Sequence, residues 1–312
     1  MSIAFVFPGQ GSQSVGMGQS LATAFPAARH VFQEVDEALG QKLSALMWAG
    51  PEGDLTLTAN AQPALMAVSL AAMAALEKEF GVPVTRASAL AGHSLGEYSA
   101  LAAAGAFTLG DTARLLRVRG DAMQAAVPVG EGAMASLIGK VDVALAEEIA
   151  AEGALAGACV VANDNNLGNV VISGAKAGIE AAILAAKAKG ARAILLNVSA
   201  PFHSPLMEKA AAAMEAALAK AAIAPPAAPI FANVTALATQ NPAEIRALLV
   251  QQVCGRVRWR ESVLAMQAAG VTRFVEVGAG KVLAGMIKRI APDAEAISLN
   301  EPADLEAFAK GL

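Results

Sequence analysis

Short apolar runs alternate along the chain with longer stretches in which apolar residues recur every three or four positions. The runs at 3–7, 87–91, 230–234 and 274–277 predict strands, and the stretches at 25–39, 64–80 and 110–126 predict helices between them. This alternation predicts a layered α/β unit with a mainly parallel sheet. The rhythm changes after "VPVGEG" (127–132). A strand at 133–138, a helix at 141–152, strands at 159–162 and 170–173 joined by the polar turn "NDNNLGN", a helix at 175–189 and a strand at 193–198 follow. That order, β-α-β-β-α-β, is the ferredoxin-like pattern. The expected organisation is a large α/β unit formed by 1–126 and 201–312, interrupted by a small ferredoxin-like unit at 127–200.

Composition narrows the function classes. The chain is 55% hydrophobic and 16% charged over 312 residues, which predicts a well-buried core rather than disorder. A net charge of −4 supplies no global basic field, so nucleic acid is not an expected partner. Cys159 and Cys254 stand far apart without metal-ligand spacing, so neither a disulfide framework nor a zinc site is expected, and a reducing cytoplasm fits. No secretory leader is expected. The most membrane-like run, 64–76, has 13 residues against the ~20 that span a bilayer, and predicts a buried helix.

Two glycine-rich loops suggest phosphate sites, and both fail the test. "FPGQGSQ" (7–13) places Gly9 and Gly11 as in a dinucleotide fingerprint, but Ser14 occupies the third glycine position. "GAGK" (278–281) lacks the first glycine and the Ser/Thr of a P-loop, having Val275 and Val282 there. The chemical signal lies instead in "ALAGHSLGEYSAL" (89–101), where Gly92-His93-Ser94-Leu95-Gly96 is G-x-S-x-G between a strand and a helix. That context is a nucleophile elbow, with the Leu95 N–H at a helix N-terminus facing any oxyanion formed above Ser94.

A serine nucleophile needs a base, and the chain has three histidines. His30 sits in an amphipathic helix. His93 adjoins Ser94, so its ring points elsewhere, in a pocket-lining or structural role. His203, in "NVSAPFHSPLM" between Pro201 and Pro205, is left as the general base. Asp111, Asp121, Asp142 and Asp164 lie between serine and histidine, but none ends a strand of the large unit. A dyad with the imidazole oriented by a neutral acceptor, such as a backbone carbonyl, fits as well as a triad.

"FVFPGQGSQ", "GHSLGEYSAL", "RVRGDAMQ", "VVISG", "VSAPFHSPLM" and "EVGAGKVLAGMIKRI", in that order, resemble the motifs of bacterial malonyl-CoA:acyl carrier protein transacylases and, more broadly, of the acyltransferase domains of fatty-acid and polyketide synthases. The resemblance implies an α/β-hydrolase-like large domain with a ferredoxin-like insert. It implies Ser94 as the acylated nucleophile, His203 as its base, the Gln10 and Leu95 amides as the oxyanion hole, and the Gln252 carbonyl as the group orienting His203. Arg119 would pair with the free malonyl carboxylate, a role that suits a guanidinium because it meets a carboxylate with two parallel hydrogen bonds. Phe202 would crowd an α-methyl branch, and Gln62, His93 and Met123 complete the expected substrate-binding set. Malonyl-CoA and acyl carrier protein are the implied partners, in ping-pong transfer supplying extender units for fatty-acid synthesis, with no metal or redox cofactor. A cytoplasmic monomer without membrane contact is expected. Lys187, Lys189, Arg192, Lys281, Lys288 and Arg289 are expected to form a basic docking surface. The alternative is a serine thioesterase or esterase using water as acceptor. The chain departs from the family pattern at Leu167, Asn169, "ANVTA" (232–236) and Cys254-Gly255-Arg256.

Overall fold

The computed structural model describes residues 2–128 and 130–312; Val129, in the stretch where the small unit is expected to begin, lies outside them. The strands are β1 (Ile3–Phe7), β2 (Ala89–Gly92), β3 (Gly132–Ile138), β4 (Cys159–Asn166), β5 (Asn169–Ala175), β6 (Arg192–Leu195), β7 (Ile230–Phe231), β8 (Ala238–Thr239), β9 (Arg273–Val277) and β10 (Glu295–Leu299). They form two sheets. The first, ordered β10-β9-β1-β2-β7-β8, is parallel except for the β7–β8 pair. The second, ordered β4-β5-β3-β6, is antiparallel and contiguous in sequence, as the ferredoxin-like pattern requires.

Alternation along β1 divides the core. Ile3, Phe5 and Phe7 enter one apolar cluster and Ala4 and Val6 the other, so both faces of the sheet are covered. The helix Thr58–Phe80 lines the first face and Trp259–Ala268 and Val282–Ile290 the second. Thr58–Phe80 has 23 residues, long and apolar enough by composition to cross a membrane, yet it is packed inside the fold. It starts six positions before the expected 64, with Pro63 inside. Pro63 forfeits its own N–H bond and crowds the carbonyl one turn back, and burial on both sides of it outweighs that loss.

Other elements differ from expectation too, β6 ending at Leu195 where the strand is expected to reach 198. The run at 230–234 contributes only Ile230–Phe231 to the sheet, because the chain turns so that Asn233 reaches the end of β2. β10 is an added parallel edge. β4 runs through most of the "NDNNLGN" stretch that reads as a turn, to Asn166, with irregularities between Val161 and Asn163 and between Asp164 and Asn166. These bulges re-aim polar side chains that a regular strand would reject. The far edge of β4 is bridged to the large sheet's side of the molecule, with Asp164 N donating to Val257 O (2.9 Å) and Val257 N to Ala162 O (2.8 Å). The buried Asp164 carboxylate also accepts from Arg260 Nε at 2.9 Å.

Candidate active site

β2 ends at Gly92, the helix Gly96–Ala103 begins four residues later, and Ser94 between them has φ 53°. A side chain on Gly92 would stand 1.9 Å from the Gly96 carbonyl, and one on Gly96 would stand 2.2 Å from the Phe7 carbonyl oxygen. The elbow is therefore closed to any residue but glycine at both places, and its tightness forces Ser94 into the left-handed region. Asn233 locks the turn: its Oδ1 accepts from Ser94 N at 2.7 Å and its Nδ2 donates to Gly92 O at 2.7 Å.

His203 shares the unusual backbone, with φ 55°. Its Nε2 lies 2.8 Å from Ser94 Oγ. Its Nδ1 faces two carbonyl oxygens, Gln252 O at 2.9 Å and Gly255 O at 3.1 Å. Carbonyls only accept, so Nδ1 carries the proton and Nε2 presents its lone pair to the serine hydroxyl. Burial, and then the charge of Arg119, push the imidazole down to about 3, which keeps it neutral at physiological pH with the Nε2 lone pair free to accept from Ser94. Among the described residues no carboxylate contacts His203. Asp111 caps the helix Leu109–Ala125 with Thr108, Asp142 caps Val143–Gly153, and Asp164 is held by Arg260. His30 is exposed, bonded to Gln33.

Arg119 is 1% exposed. Its Nη1 donates to Gln62 Oε1 at 2.7 Å, and its Nη2 to Gln252 Oε1 at 2.8 Å and to Ser94 Oγ at 3.1 Å. All three acceptors are neutral, and no carboxylate forms an ion pair with Arg119 among the described residues. Arg119 reaches this position because its helix lies almost in contact with the start of Thr58–Phe80: a side chain on Gly120 would meet Ala59 Cα at 2.6 Å and Thr58 O at 2.8 Å. The same helix start supports the glycine loop. Gln62 Nε2 donates to Thr58 Oγ1 (2.9 Å), which donates to Gln10 Oε1 (2.8 Å). The Gln10 and Leu95 amides donate to no protein group among the described residues, and both residues border the cavity above Ser94.

That cavity has a volume of about 330 Å³. Apart from Gln252, which stands behind Arg119 and His203, every residue expected at the site borders it, including His93, Met123 and Phe202. His93 bonds Asn165 Oδ1 through Nε2 at 2.9 Å and packs beside Trp259, joining the elbow to β4. Burial lowers its pKa. The small sheet roofs the cavity with Met134, Asn163, Asn165 and Val171, none of them expected as a site residue. The signals present were the asparagine cluster of "NDNNLGN" for Asn163 and Asn165 and the "VVISG" motif for Val171. Asn233 and Glu97 were missed too. Glu97 is buried below Ser94, and burial raises its carboxyl to about 7 against the opposing hydrogen bonds of Gln252 and Asn233 and the charge of Arg119. Of the six basic residues expected at a docking surface, all exposed, Lys189 is occupied by Glu148 and Glu152.

A serine at an elbow, a neutral imidazole and two free amides define an acyl-transferring or acyl-hydrolysing serine enzyme. Residues 4–300 match the family described as "Acyl transferase domain", and the chain belongs to that family. The malonyl CoA-acyl carrier protein transacylase of Bacillus subtilis strain 168 is 44% identical over 308 residues, spanning 97% of this chain and 95% of its own. The crystal structure of the acyl-carrier-protein-S-malonyltransferase from Bartonella henselae superposes with a TM-score of 0.97 at 53% identity, covering 100% of this chain and 99% of that one. A malonyl-transacylase solved in complex with a type II PKS acyl-carrier protein matches with a TM-score of 0.96 at 40% identity over 100% of both chains.

Proposed function

We propose that this chain transfers the malonyl group of malonyl-CoA to the phosphopantetheine thiol of an acyl carrier protein through malonyl-Ser94. The observation that carries the proposal is Arg119: a buried guanidinium beside the nucleophile, held only by neutral oxygens. An acyl group ending in a carboxylate supplies the missing counter-charge, whereas acetyl leaves it unmet. The names of the relatives support the same substrate and acceptor.

His203 Nε2 takes the Ser94 proton as Oγ attacks the thioester carbonyl. The oxyanion is met by the Gln10 and Leu95 amides, each such donor contributing about 3 kcal/mol in comparable sites. The C–S bond breaks, the thiolate takes the proton from His203, and CoA-SH leaves. The carrier thiol then gives its proton to His203, attacks the serine ester and releases Ser94 by the reverse sequence. These steps use only side chains and amides of this chain, and we propose that no metal or redox cofactor takes part. Phe202 at the cavity wall favours malonyl over an α-methyl homologue. A monomer suffices, since one chain supplies the whole site. CoA thioesters and free Cys159 and Cys254 suit the cytoplasm. We divide the chain into a catalytic unit, 1–126 with 201–312, and a roof, 127–200.

Intact-mass spectrometry after mixing with malonyl-CoA or acetyl-CoA tests the proposal. A malonyl adduct is expected, lost in Ser94→Ala and discharged faster by carrier protein than by water. Discharge at the same rate with and without carrier protein would make the chain a hydrolase.

A further inference from the structure

Glu97 takes no part in those steps, yet it is 3% exposed and anchors two residues that hold Ser94 and Arg119 in place. Its Oε2 accepts from Gln252 Nε2 at 2.8 Å and from Asn233 N at 3.0 Å. Asn233 holds the elbow at Ser94 N and Gly92 O. Gln252 is the more consequential partner, because every polar atom of its side chain is committed. Nε2 donates to Ser94 O at 2.9 Å and to Glu97, while Oε1 accepts from Arg119 Nη2 at 2.8 Å.

A glutamine amide has nearly the same shape in either orientation, and its two ends differ only in what they offer. Arg119 has donors alone and requires the oxygen. In the reverse orientation the amide would turn N–H groups on the guanidinium and its oxygen on the Ser94 carbonyl and the Glu97 carboxylate. The Ser94 carbonyl accepts one amide hydrogen, and a carboxyl oxygen of Glu97 accepts the other.

We infer that Glu97 is a positioning residue: by taking the second amide hydrogen of Gln252 it fixes the Gln252 oxygen toward Arg119, and through Arg119 it sets the preference for an acyl group ending in a carboxylate. The effect is distinct from holding up the elbow. Loss of support for Ser94 slows loading by any acyl group, whereas misplacement of Arg119 penalises only the acid.

The inference rests on the malonyl-transfer proposal, and the test separates the two. Rates of Ser94 acylation by malonyl-CoA and acetyl-CoA are measured by intact mass for the wild-type chain, Glu97→Leu, Glu97→Asp and Glu97→Gln, with circular dichroism to establish folding. Glu97→Leu is expected to slow malonyl loading at least about 10-fold more than acetyl loading, the size of one buried hydrogen bond left unmet. Glu97→Asp, which keeps the carboxyl but withdraws it by one methylene, lowers the malonyl-to-acetyl ratio in the same direction and serves if the leucine variant does not fold. Glu97→Gln presents an oxygen to the same two donors and restores the ratio to within about 3-fold of wild type. A wild-type ratio in folded Glu97→Leu, or in Glu97→Asp if the leucine variant is unfolded, overturns the inference whatever happens to the overall rate. So does a ratio in Glu97→Gln as low as in Glu97→Leu. A wild-type chain that never acquires malonyl overturns the functional proposal itself.

Discussion

Arg119 Nη2 donates to Ser94 Oγ across 3.1 Å, so the charge that would receive a substrate carboxylate already touches the nucleophile. In Arg119→Ala the carboxylate enters without a partner, and the Gln62 and Gln252 oxygens lose their donor. Several kcal/mol of unpaired burial corresponds to a loss of at least about 100-fold in malonyl loading, with acetyl loading reduced far less. The two rates, measured by intact mass, decide this; an unchanged malonyl preference rejects carboxylate pairing.

The φ of 53° at Ser94 is a strain that glycine would not feel. Ser94→Ala and Ser94→Gly both remove the hydroxyl and both abolish acylation. The glycine variant is expected to be about 1 kcal/mol more stable in urea, the left-handed penalty on a Cβ less the added freedom of the unfolded chain. Equal midpoints would mean that the elbow stores no strain at this residue.

Burial and the Arg119 charge push His203 down to about 3 from 6.5, so its protonation is not expected to limit acylation at mildly acidic pH. The kcat/KM of malonyl loading should lack a histidine limb near 6.5. An inflection near 7 would belong to Glu97 and should vanish in Glu97→Gln. The sign for stability follows from the lowered value. Below 6.5 the unfolded chain binds a proton at this position that the folded chain refuses, so stability is full above 6.5 and is lost as pH falls toward 3. A limb at 6.5 in initial-rate data would show the imidazole to be solvated.

Asp164 ties β4 to Arg260, with the carboxylate 1% exposed and the arginine side chain 26% exposed. Because the arginine reaches water, Asp164→Ala should cost about 1–3 kcal/mol, less than a fully buried pair. Urea unfolding measures this, and an unchanged midpoint would leave the Val257 backbone bridge as the main tether of the small sheet.

How far the sequence could be read depends on the residue. β1 was legible because Ile3–Phe7 is short, apolar and bounded by a proline and glycine turn. The elbow was legible because two glycines and a serine at fixed spacing have few other uses. The second half of β4 was not, since Asn163, Asp164, Asn165 and Asn166 are poor strand formers and enter the sheet only through bulges aimed at the cavity and at Arg260. The start of Thr58–Phe80 was hidden by Pro63, a helix breaker that packing overrode. Glu97 was hidden because an acid in the first turn of a helix is what the helix dipole favours on any surface. Its burial depends on Asn233 and Gln252, more than a hundred residues away.

The contact at Gly120 gives that residue an influence its missing side chain would not suggest. The gap between the two helices works as a gauge: its width decides how far Arg119 projects past Gln62 toward Ser94. Any atom added at position 120 widens the gauge and draws the guanidinium back from the serine. On the proposed role of Arg119, discrimination between acids and neutral acyl groups is then written partly in a backbone-to-backbone distance, at a residue that does not border the cavity.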